Sequence, residues 1–421
     1  MIVNEQTSAL WANASEEVHQ FYERRPYPAP LNSLHEHREL YENPDRRRVQ
    51  FHLMWPTEQP RGDLEILVAG CGTSQAARYA LREPDARITA IDISETSLRH
   101  TRELKQKYHL DNLELYQLPI ENVGELGRTF DQIVCTGVLH HLPDPVLGLH
   151  ALREVLNGEG GMQLMVYAAY GRAGVYMLKE YCRLLDISTS DKDLRDLGAT
   201  LRGLPDDHPL IRVMRAAIDF QNPDAVADVL LHPIDRAYTV PELYDWLGVC
   251  GLTFGRWVEQ APYLPQCGLT AGTPHAKRLS TLPSPAQHAA MELFRGTMVR
   301  HKLIVYRDDR DTEVQLINFA DDRWREFVPI RVPWSVCVRE RVPPGSVAVL
   351  INRAHAFTDL ILTVDEFENH LLSAIDGRRT LAEILDAAGS GVSERKALSF
   401  FERLWQYDQV VFDASRTASR G

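Results

Sequence analysis

The stretch from Leu64 to Gln75 constrains the fold of this chain more than any other. It reads Leu-Glu-Ile-Leu-Val-Ala-Gly-Cys-Gly-Thr-Ser-Gln, a short apolar run that breaks at Gly70-Cys71-Gly72 before a helical pattern. An apolar run of this length bounded by glycine is typical of a buried parallel strand. Glycines just past a strand let the backbone approach a ligand closely. The sequence therefore predicts a strand, a glycine turn and a helix beside a ligand.

An acid follows at the end of the next apolar run. Ile88-Thr-Ala-Ile-Asp92 closes with a carboxylate twenty residues beyond Gly72. An acid at that strand end can accept hydrogen bonds from both hydroxyls of a ribose. The pattern therefore predicts a nucleoside site. A dinucleotide fold requires a third glycine where Gln75 stands, so the spacing disfavours a nicotinamide-dependent oxidoreductase.

A third apolar run supplies the next part of the pattern. Phe130 to Cys135 leads through Gly137 into a Val-Leu-His-His tail that ends at His140 and His141. In these three segments the chain resembles the class I S-adenosylmethionine-dependent methyltransferases. The resemblance implies S-adenosyl-L-methionine as the cofactor and methyl transfer as the activity.

The resemblance assigns a set of residues to the cofactor. Pro119 stands where many members of the family carry an acid for the adenine amino group, so main-chain groups beside it are expected to recognise adenine, with Glu121 a weaker candidate. Ile93 is expected against the adenine face. The implied cofactor residues are Gly70, Cys71, Gly72, Asp92, Ile93, Leu118, Ile120 and Thr136, with Tyr22 and Tyr27 above the pocket.

The segment before the first strand is expected to cap this pocket. Phe21 to Pro30 carries prolines at alternating positions, which predicts an extended conformation that displays Tyr22 and Tyr27 instead of burying them in a helix. A subset of the methyltransferases that this chain resembles carries a similar Tyr-Pro element, which makes Tyr22, Pro26 and Tyr27 lid candidates. An arm packed on the outside of the sheet is the alternative.

Alternating strands and helices from Leu64 to about Val166 predict a doubly wound α/β fold, with the ligand-facing loops at the carboxyl ends of the strands. Together with the resemblance, this implies a seven-stranded Rossmann-like sheet with an N-terminal lid, a helical insertion and a small α+β C-terminal domain. The expected strands are 64–69, 87–91, 113–117, 130–135, 161–167, 252–258 and 301–306. The expected domains are 1–60 as lid or arm, 61–310 as methyltransferase domain with an insertion at about 168–250, and 320–421 as C-terminal domain.

The C-terminal residues are expected to form three helices and a strand. Thr363-Val-Asp-Glu366 and Thr380-Leu-Ala-Glu383 each predict a capping box at a helix start, Ser393 to Trp405 a third helix and Gln409 to Phe412 a strand. This order is similar to a winged-helix module, and residues 375–385 are similar to segments of small domains that bind peptides. Docking of a peptide and formation of a homodimer are both possible functions of this C-terminal domain. A net charge of −12 disfavours nucleic acid, whose binding relies on Lys and Arg.

The insertion after the fifth strand is expected to close over the acceptor. His232, Arg236, Tyr238 and, just past the fifth strand, Tyr170 are the acceptor-binding candidates; an internal salt-bridged cap is the alternative. Because a sulfonium methyl is already activated, transfer mainly requires an acceptor lone pair held behind it and water kept away. A base helps where the acceptor is a hydroxyl, thiol or ammonium. The catalytic candidates are therefore His140, His141 and Tyr167.

Composition limits the setting and the classes of function. Six scattered cysteines form no Cys-x-x-Cys pair, so reduced thiols and no metal site are expected. No stretch approaches the ~20 apolar residues that cross a bilayer, which predicts a cytoplasmic protein without a membrane partner. The predicted acceptor is a small molecule or a peptide-derived metabolite. The alternatives are a protein methyltransferase that docks its target through the C-terminal domain and a non-catalytic nucleoside-binding regulator.

Overall fold

The computed structural model of the protein describes residues 5–216, 220, 222–311, 316–389 and 393–418. The chain divides into two compact units. Unit 1 comprises Met1–Arg38, Gly62–Phe254 and Arg295–Asp311, and unit 2 comprises Glu39–Arg61, Gly255–Phe294 and Thr312–Gly421. This division differs from the predicted boundaries, because Glu39–Arg61 and Gly255–Phe294 group with the C-terminal residues.

The strands follow the expected apolar runs closely. In chain order they are β1 Glu65–Ala69, β2 Arg87–Asp92, β3 Leu113–Gln117, β4 Phe130–Thr136, β5 Leu156–Tyr167, β6 Leu252–Trp257, β7 Arg300–Arg307, β8 Val328–Arg331, β9 Ser335–Val338, β10 Ala348–Asn352, β11 Ile361–Val364 and β12 Val410–Asp413.

The helices lie between and beyond these strands. They are α1 Glu5–Arg24, α2 His35–Tyr41, α3 Pro44–Met54, α4 Gln75–Arg82, α5 Glu95–Tyr108, α6 Pro145–Glu154, α7 Ala173–Leu184, α8 Asp191–Arg202, α9 Pro209–Ala216, α10 Pro223–Leu231, α11 Val240–Val249, α12 Ala276–Leu279, α13 Ser284–Arg295, α14 Glu366–Ser373, α15 Leu381–Ala388, α16 Glu394–Gln406 and α17 Ser415–Ala418.

A seven-stranded sheet runs in the order β3-β2-β1-β4-β5-β7-β6. Strand β1 pairs in parallel with β2 and β4, β5 pairs in parallel with β4, and β7 pairs antiparallel to β5. Ile66 to Ala69 of β1 are fully buried, as expected for a strand covered on both faces. The predicted doubly wound sheet is confirmed, and the carboxyl ends of its parallel strands share one edge.

The N-terminal segment differs from its prediction. Helix α1 continues to Arg24, so Tyr22 lies in its last turn and not in an extended segment. The helix ends there because Pro26 disfavours a helical conformation at the residue before it, whereas no proline or glycine interrupts the preceding residues. Phe21 is buried in a cluster with Val175 and Leu178 of α7. Helix α1 is therefore part of the fold of unit 1, and within the predicted segment 21–30 only the residues after Arg24 are non-helical.

Between β5 and β6, where the insertion at about 168–250 is predicted, the described residues form the helices α7 to α11. Helical periodicity over residues 211–220 predicts one of these helices. Helix α9 covers the first part of that range, while residues 217–219 lie outside the described residues. Buried apolar residues on α7, α8, α9 and α10 share one cluster with α1: Val175, Leu178, Leu194, Leu197, Leu201, Leu210, Val213, Val226 and Leu230. The insertion thus has a core of its own, built by the apolar faces of its helices.

Unit 2 contains two small antiparallel sheets, β11-β10-β9 and β12-β8, and the three predicted helices α14 to α16. The capping box predicted at Thr380 and Glu383 is confirmed. The one predicted at Thr363 is wrong, because Thr363 pairs with β10 as part of β11 and the box is formed by Asp365 and Glu368. The resemblance to a winged helix stays a prediction.

The core of unit 2 draws on segments that are distant in sequence. Helix α3 packs against β8 and β12, and the Ala414 N–H donates to the carbonyl oxygen of Pro56 at 2.7 Å. Asp408, which is buried, accepts from the Ala261 N–H at 2.9 Å and lies 3.5 Å from the Arg256 guanidinium. The C-terminal residues and the two earlier segments are therefore one structural unit.

No helix among the described residues is long and apolar enough to span a membrane. The same residues contain no group of three or more His, Cys, Asp or Glu side chains placed to hold a metal ion.

Candidate active site

A cavity of about 460 Å³ lies at the carboxyl ends of the central strands of unit 1. Cavities of this order hold small molecules and cofactors. Predicted residues on its wall are Gly70, Cys71, Gly72, Asp92, Ile93, Leu118, Ile120, Thr136, Tyr22, Tyr27, His141 and Tyr167. Residues on the wall that the sequence did not single out include Arg78, Arg172, Val213, Phe220, Asp228 and Val229.

The glycine turn after β1 has the conformation that its residues predict. Gly70 and Gly72 have φ values of +67° and +57°, which glycine adopts without strain. The N–H groups of Gly70 and Cys71 both donate to the carbonyl oxygen of Ile91, at 2.9 and 3.0 Å. A Cβ on Gly70 would lie 2.3 Å from Cγ2 of Val138. Glycine is therefore required at position 70 by the backbone and by Val138, whatever ligand the turn approaches.

Asp92 ends β2 beside this turn. Its Oδ2 accepts from the Gly72 N–H at 2.7 Å, and its Oδ1 accepts from the Ser94 N–H at 2.9 Å. Burial raises the pKa of Asp92, while these N–H donors oppose the rise. Each carboxylate oxygen has a further lone pair. The carboxylate is thus held by the backbone with acceptor capacity left for a bound ligand.

Apolar side chains flank Asp92. Ile93, Leu118 and Ile120 line the same cavity, and the Gln75 side-chain amide donates to the Thr136 hydroxyl at 2.8 Å on another part of its wall. A second cavity of about 370 Å³ shares Ile93, Leu118 and His141 with the first and also touches Glu121. Burial raises the pKa of Glu121. Ile93, Leu118 and Ile120 thus form an apolar slot in the wall.

The two histidines after β4 differ in position. His140 is fully buried against Tyr167, with ring centroids 3.8 Å apart, and it is not one of the described residues on the cavity wall. His141 is on the wall, and its Nδ1 lies 2.6 Å from the carbonyl oxygen of Ile234. Burial lowers the pKa of His141 to about 4, so the ring is neutral at pH 7. With Nδ1–H donating to Ile234, Nε2 carries the lone pair and has no hydrogen-bond partner among the described residues.

Asp228 is the most informative residue that the sequence analysis missed. It lies on α10, and its Oδ1 accepts from the Tyr22 hydroxyl at 3.1 Å. Its Oδ2 is buried and has no partner among the described residues. Burial raises the pKa of Asp228 to about 7. The sequence does contain a sign of this role: Asp228 is an acid within the apolar run 225–231, where a solvated side chain is not expected.

Arg172 supports the tyrosine at the end of β5. Its guanidinium lies 3.5 Å from the centroid of the Tyr167 ring and 3.3 Å from Oδ2 of Asp235. Burial and the Asp228 carboxylate raise the pKa of Tyr167 well above its usual value, so its hydroxyl stays protonated. Cation–π contact in a desolvated site contributes about 2 kcal/mol. Tyr167 is therefore a fixed hydroxyl on the wall.

The predicted acceptor residues lie away from the wall, as far as the described residues show. His232 packs behind His141, with ring centroids 3.9 Å apart, and Tyr238 is buried against Trp246. Arg236 is exposed over the Tyr238 ring. Tyr170 is 44% exposed. These residues support or flank the site, because the loop that carries three of them passes behind the histidine pair.

Comparisons with known proteins cover the region around the glycine turn. The family described as "Methyltransferase domain" matches residues 67–162. An uncharacterized protein of Synechococcus sp. is 39% identical over 201 residues, which are 46% of this chain and 48% of that protein. A ubiquinone biosynthesis O-methyltransferase of Acinetobacter baumannii is 25% identical over 36% of this chain and 70% of its own length. The chain thus spans about half the length of the Synechococcus protein.

Among solved structures, PKMT2 from Rickettsia typhi has a similar fold with a TM-score of 0.61. It is 14% identical, and the match covers 88% of this chain and 75% of PKMT2. PKMT2 has also been solved in complex with AdoHcy. At this identity the likeness shows the fold.

Proposed function

We propose, on the premise that residues 67–162 form a class I S-adenosylmethionine-dependent methyltransferase domain, that this protein transfers the methyl group of S-adenosylmethionine to a small-molecule or peptide-derived acceptor. One observation carries the proposal. The Asp92 carboxylate is fixed by two backbone N–H groups on the wall of a cavity, beside the glycine turn.

The residues present fit the cofactor. Asp92 has acceptor capacity for the two ribose hydroxyls, and the slot of Ile93, Leu118 and Ile120 fits adenine. When bound, the cofactor supplies a methyl group on a positively charged sulfur, which is ready for in-line displacement. The protein then has to place an acceptor atom behind that methyl and exclude water.

Two groups on the wall suit the proton that a hydroxyl or amine acceptor loses. His141 is neutral and has a free Nε2 lone pair, and Asp228 has an unpartnered Oδ2. A general base works best when its pKa lies near the operating pH. Since burial raises the pKa of Asp228 to about 7, Asp228 is the better matched base. We assign His141 and Tyr167 to orientation of the acceptor, and His140 to packing beneath Tyr167.

Helix α1 supplies the cover of the cavity through Val18 and Tyr22, followed by Tyr27. Arg25 holds this segment on the insertion. Its guanidinium pairs with Asp191 at 2.5 Å and with Asp224 at 3.1 Å. The cover excludes water from the reacting atoms.

The size of the cavity favours a small acceptor. About 460 Å³ has to hold both the cofactor and the acceptor, which leaves space for a small molecule or for one side chain of a peptide. Docking of a protein target on the C-terminal residues is the second candidate. Substitutions on the surface of unit 2 distinguish the two candidates. If unit 2 docks a protein target, they abolish methylation of that target and leave methylation of a small acceptor unchanged.

The test is titration calorimetry with S-adenosylmethionine and S-adenosylhomocysteine. We expect binding by the wild type and a loss of about 1.5 to 3 kcal/mol in Asp92→Ala, because a charged acceptor for the ribose is removed. Glu95→Gln is the matched control, since Glu95 is an exposed acid that pairs with Arg102. Thermal melting establishes that each variant is folded. Absence of binding in the wild type, or unchanged affinity in folded Asp92→Ala, contradicts the proposal.

A further inference from the structure

Arg78 places a guanidinium in the wall of the cavity. It lies in the first turns of α4, close to the glycine turn, and lines the cavity with Gly72 and Gln75. Its Nε is buried and has no hydrogen-bond partner among the described residues. Within the same part of the chain, its guanidinium forms no ion pair. By contrast, Arg25 and Arg172 on the same unit are both paired with aspartates.

Burying a guanidinium without an ion-pair partner is unfavourable, and the position of Arg78 in α4 adds to this. The N-terminal end of a helix carries a partial positive charge, so a cation in its first turns is unfavourable. The N-cap residue of α4, Ser74, makes no side-chain hydrogen bond to the exposed N–H groups of that end. Arg78 also contributes, after burial, to lowering the pKa of His37. A guanidinium and the N–H groups of a helix end therefore lie close together here, and among the described residues the guanidinium has no ion-pair partner.

We infer that Arg78 and the N-terminus of α4 bind the carboxylate of the methionine part of the cofactor. The inference rests on the proposed function. With ribose at Asp92 and adenine in the apolar slot, the carboxylate is the one anionic group of the cofactor. A guanidinium can bind a carboxylate through two parallel N–H···O hydrogen bonds, and the N–H groups of a helix N-terminus add to that attraction.

The inference is tested by two ligands that differ in the amino acid part. S-adenosylhomocysteine contains the carboxylate, whereas 5′-methylthioadenosine keeps the adenosine and the thioether and lacks the carboxylate. Dissociation constants for both are measured by titration calorimetry on the full chain, for the wild type, Arg78→Gln and Arg78→Lys. Arg82→Gln is the control, because Arg82 is on the same helix, pairs with Glu83 and stacks on Tyr79 away from the cavity wall.

We expect Arg78→Gln to weaken binding of S-adenosylhomocysteine by about 10- to 100-fold, as for loss of a charge-assisted hydrogen bond. Binding of 5′-methylthioadenosine should change less than about threefold, which is below 1 kcal/mol. Arg78→Lys should fall between wild type and Arg78→Gln, and Arg82→Gln should match the wild type for both ligands. The ratio of the two dissociation constants is independent of the fraction of protein that is folded.

Three outcomes overturn the inference. Equal weakening of both ligands in Arg78→Gln assigns Arg78 to the structure of the cavity. Unchanged binding of both places the carboxylate elsewhere. If the wild type binds neither ligand, the proposed function fails together with the inference. Wild-type binding with an unchanged ratio in Arg78→Gln leaves the proposed function intact and removes this inference alone.

Discussion

Each of the two units contains one buried aspartate whose pKa burial raises to about 7, Asp228 in unit 1 and Asp408 in unit 2. They differ in their hydrogen bonds. Both oxygens of Asp408 face donors, the Arg256 guanidinium and the Ala261 N–H. Among the described residues, only one oxygen of Asp228 faces a donor, the Tyr22 hydroxyl, and Asp228 lines a cavity. Both acids are buried. The unpartnered oxygen of Asp228 is free to meet a ligand in the cavity, whereas the two oxygens of Asp408 hold segments of unit 2 together.

The largest expected effect concerns the composition of unit 2. A chain that ends at Arg310 loses β8 and β12, on which α3 packs, and also loses Asp408. Because apolar residues of α3 such as Leu53 and Met54 are buried, we expect aggregation or a low soluble yield, measured by size-exclusion chromatography. A soluble monodisperse product would show that residues 320–421 are a separate domain, as the sequence predicted.

Asp408→Asn should destabilise the protein by about 2 kcal/mol. An asparagine has one acceptor oxygen and one NH2 group, so one of the two donors that face Asp408 would meet another donor. Urea denaturation measures the free energy of unfolding. Affinity for S-adenosylhomocysteine should stay unchanged in the folded protein. An unchanged free energy of unfolding in Asp408→Asn would contradict the structural role that separates Asp408 from Asp228.

Asp228→Asn should have the opposite pattern. The amide oxygen can still accept from Tyr22, and the NH2 group replaces an oxygen that has no partner among the described residues. At pH 4, where the folded protein holds Asp228 protonated, the free energy of unfolding should therefore change by less than about 0.5 kcal/mol. Methyl transfer should fall at least about 100-fold, as for loss of a general base, measured by transfer of an isotope-labelled methyl group to compounds of a cell extract. Asp196→Asn is the activity control, because Asp196 is an exposed acid on α8 that pairs with Lys192. Full activity in Asp228→Asn would return the role of base to His141.

The last expected effect is the pH dependence of that comparison. Between an unfolded pKa near 3.9 and the folded pKa of about 7, the folded protein holds the Asp228 proton longer than the unfolded chain, so this group lowers stability as pH rises. The slope is at most about 1.4 kcal/mol per pH unit. Histidines such as His141, with a pKa lowered to about 4, act in the opposite direction.

The histidine contributions cancel in the difference between wild type and variant. Relative to the wild type, Asp228→Asn should therefore gain stability as pH rises from 4 to 7 and stay constant above that range. Urea denaturation at pH 5, 6, 7 and 8 measures this. A difference that is flat with pH would show that Asp228 titrates normally in the folded protein.

The sequence predicted the parts of the site that depend on neighbours in the chain. The strands of the sheet, the glycine turn and Asp92 follow from apolar runs and from residues placed directly after them. Even here the reason for Gly70 was incomplete, because the clash with Val138 depends on the packing of a loop 68 residues further on.

Residues brought in by helix packing were not predictable in the same way. Asp228, Arg172 and Arg78 reach the cavity from α10, from the start of the insertion and from α4, and a helical pattern alone does not say which face meets the cavity. The predicted extended conformation of Tyr22 was wrong because the prolines after Arg24 end helix α1 and do not change the conformation of the residues before them. In unit 2, the grouping of Glu39–Arg61 with the C-terminal residues depends on contacts across most of the chain.

Helix α1 is synthesised well before the residues that it packs against. Tyr22 in its last turn and Arg25 directly after it bond to three aspartates of the insertion. Asp191 and Asp224 follow Arg25 by 166 and 199 residues, and Asp228 follows Tyr22 by 206 residues. At ordinary rates of synthesis these partners leave the ribosome roughly 10 to 40 s later. For that time α1 has apolar residues such as Phe21 without their partners. A more apolar α1 is therefore expected to lower the yield of protein during translation, even where the finished fold is as stable as before.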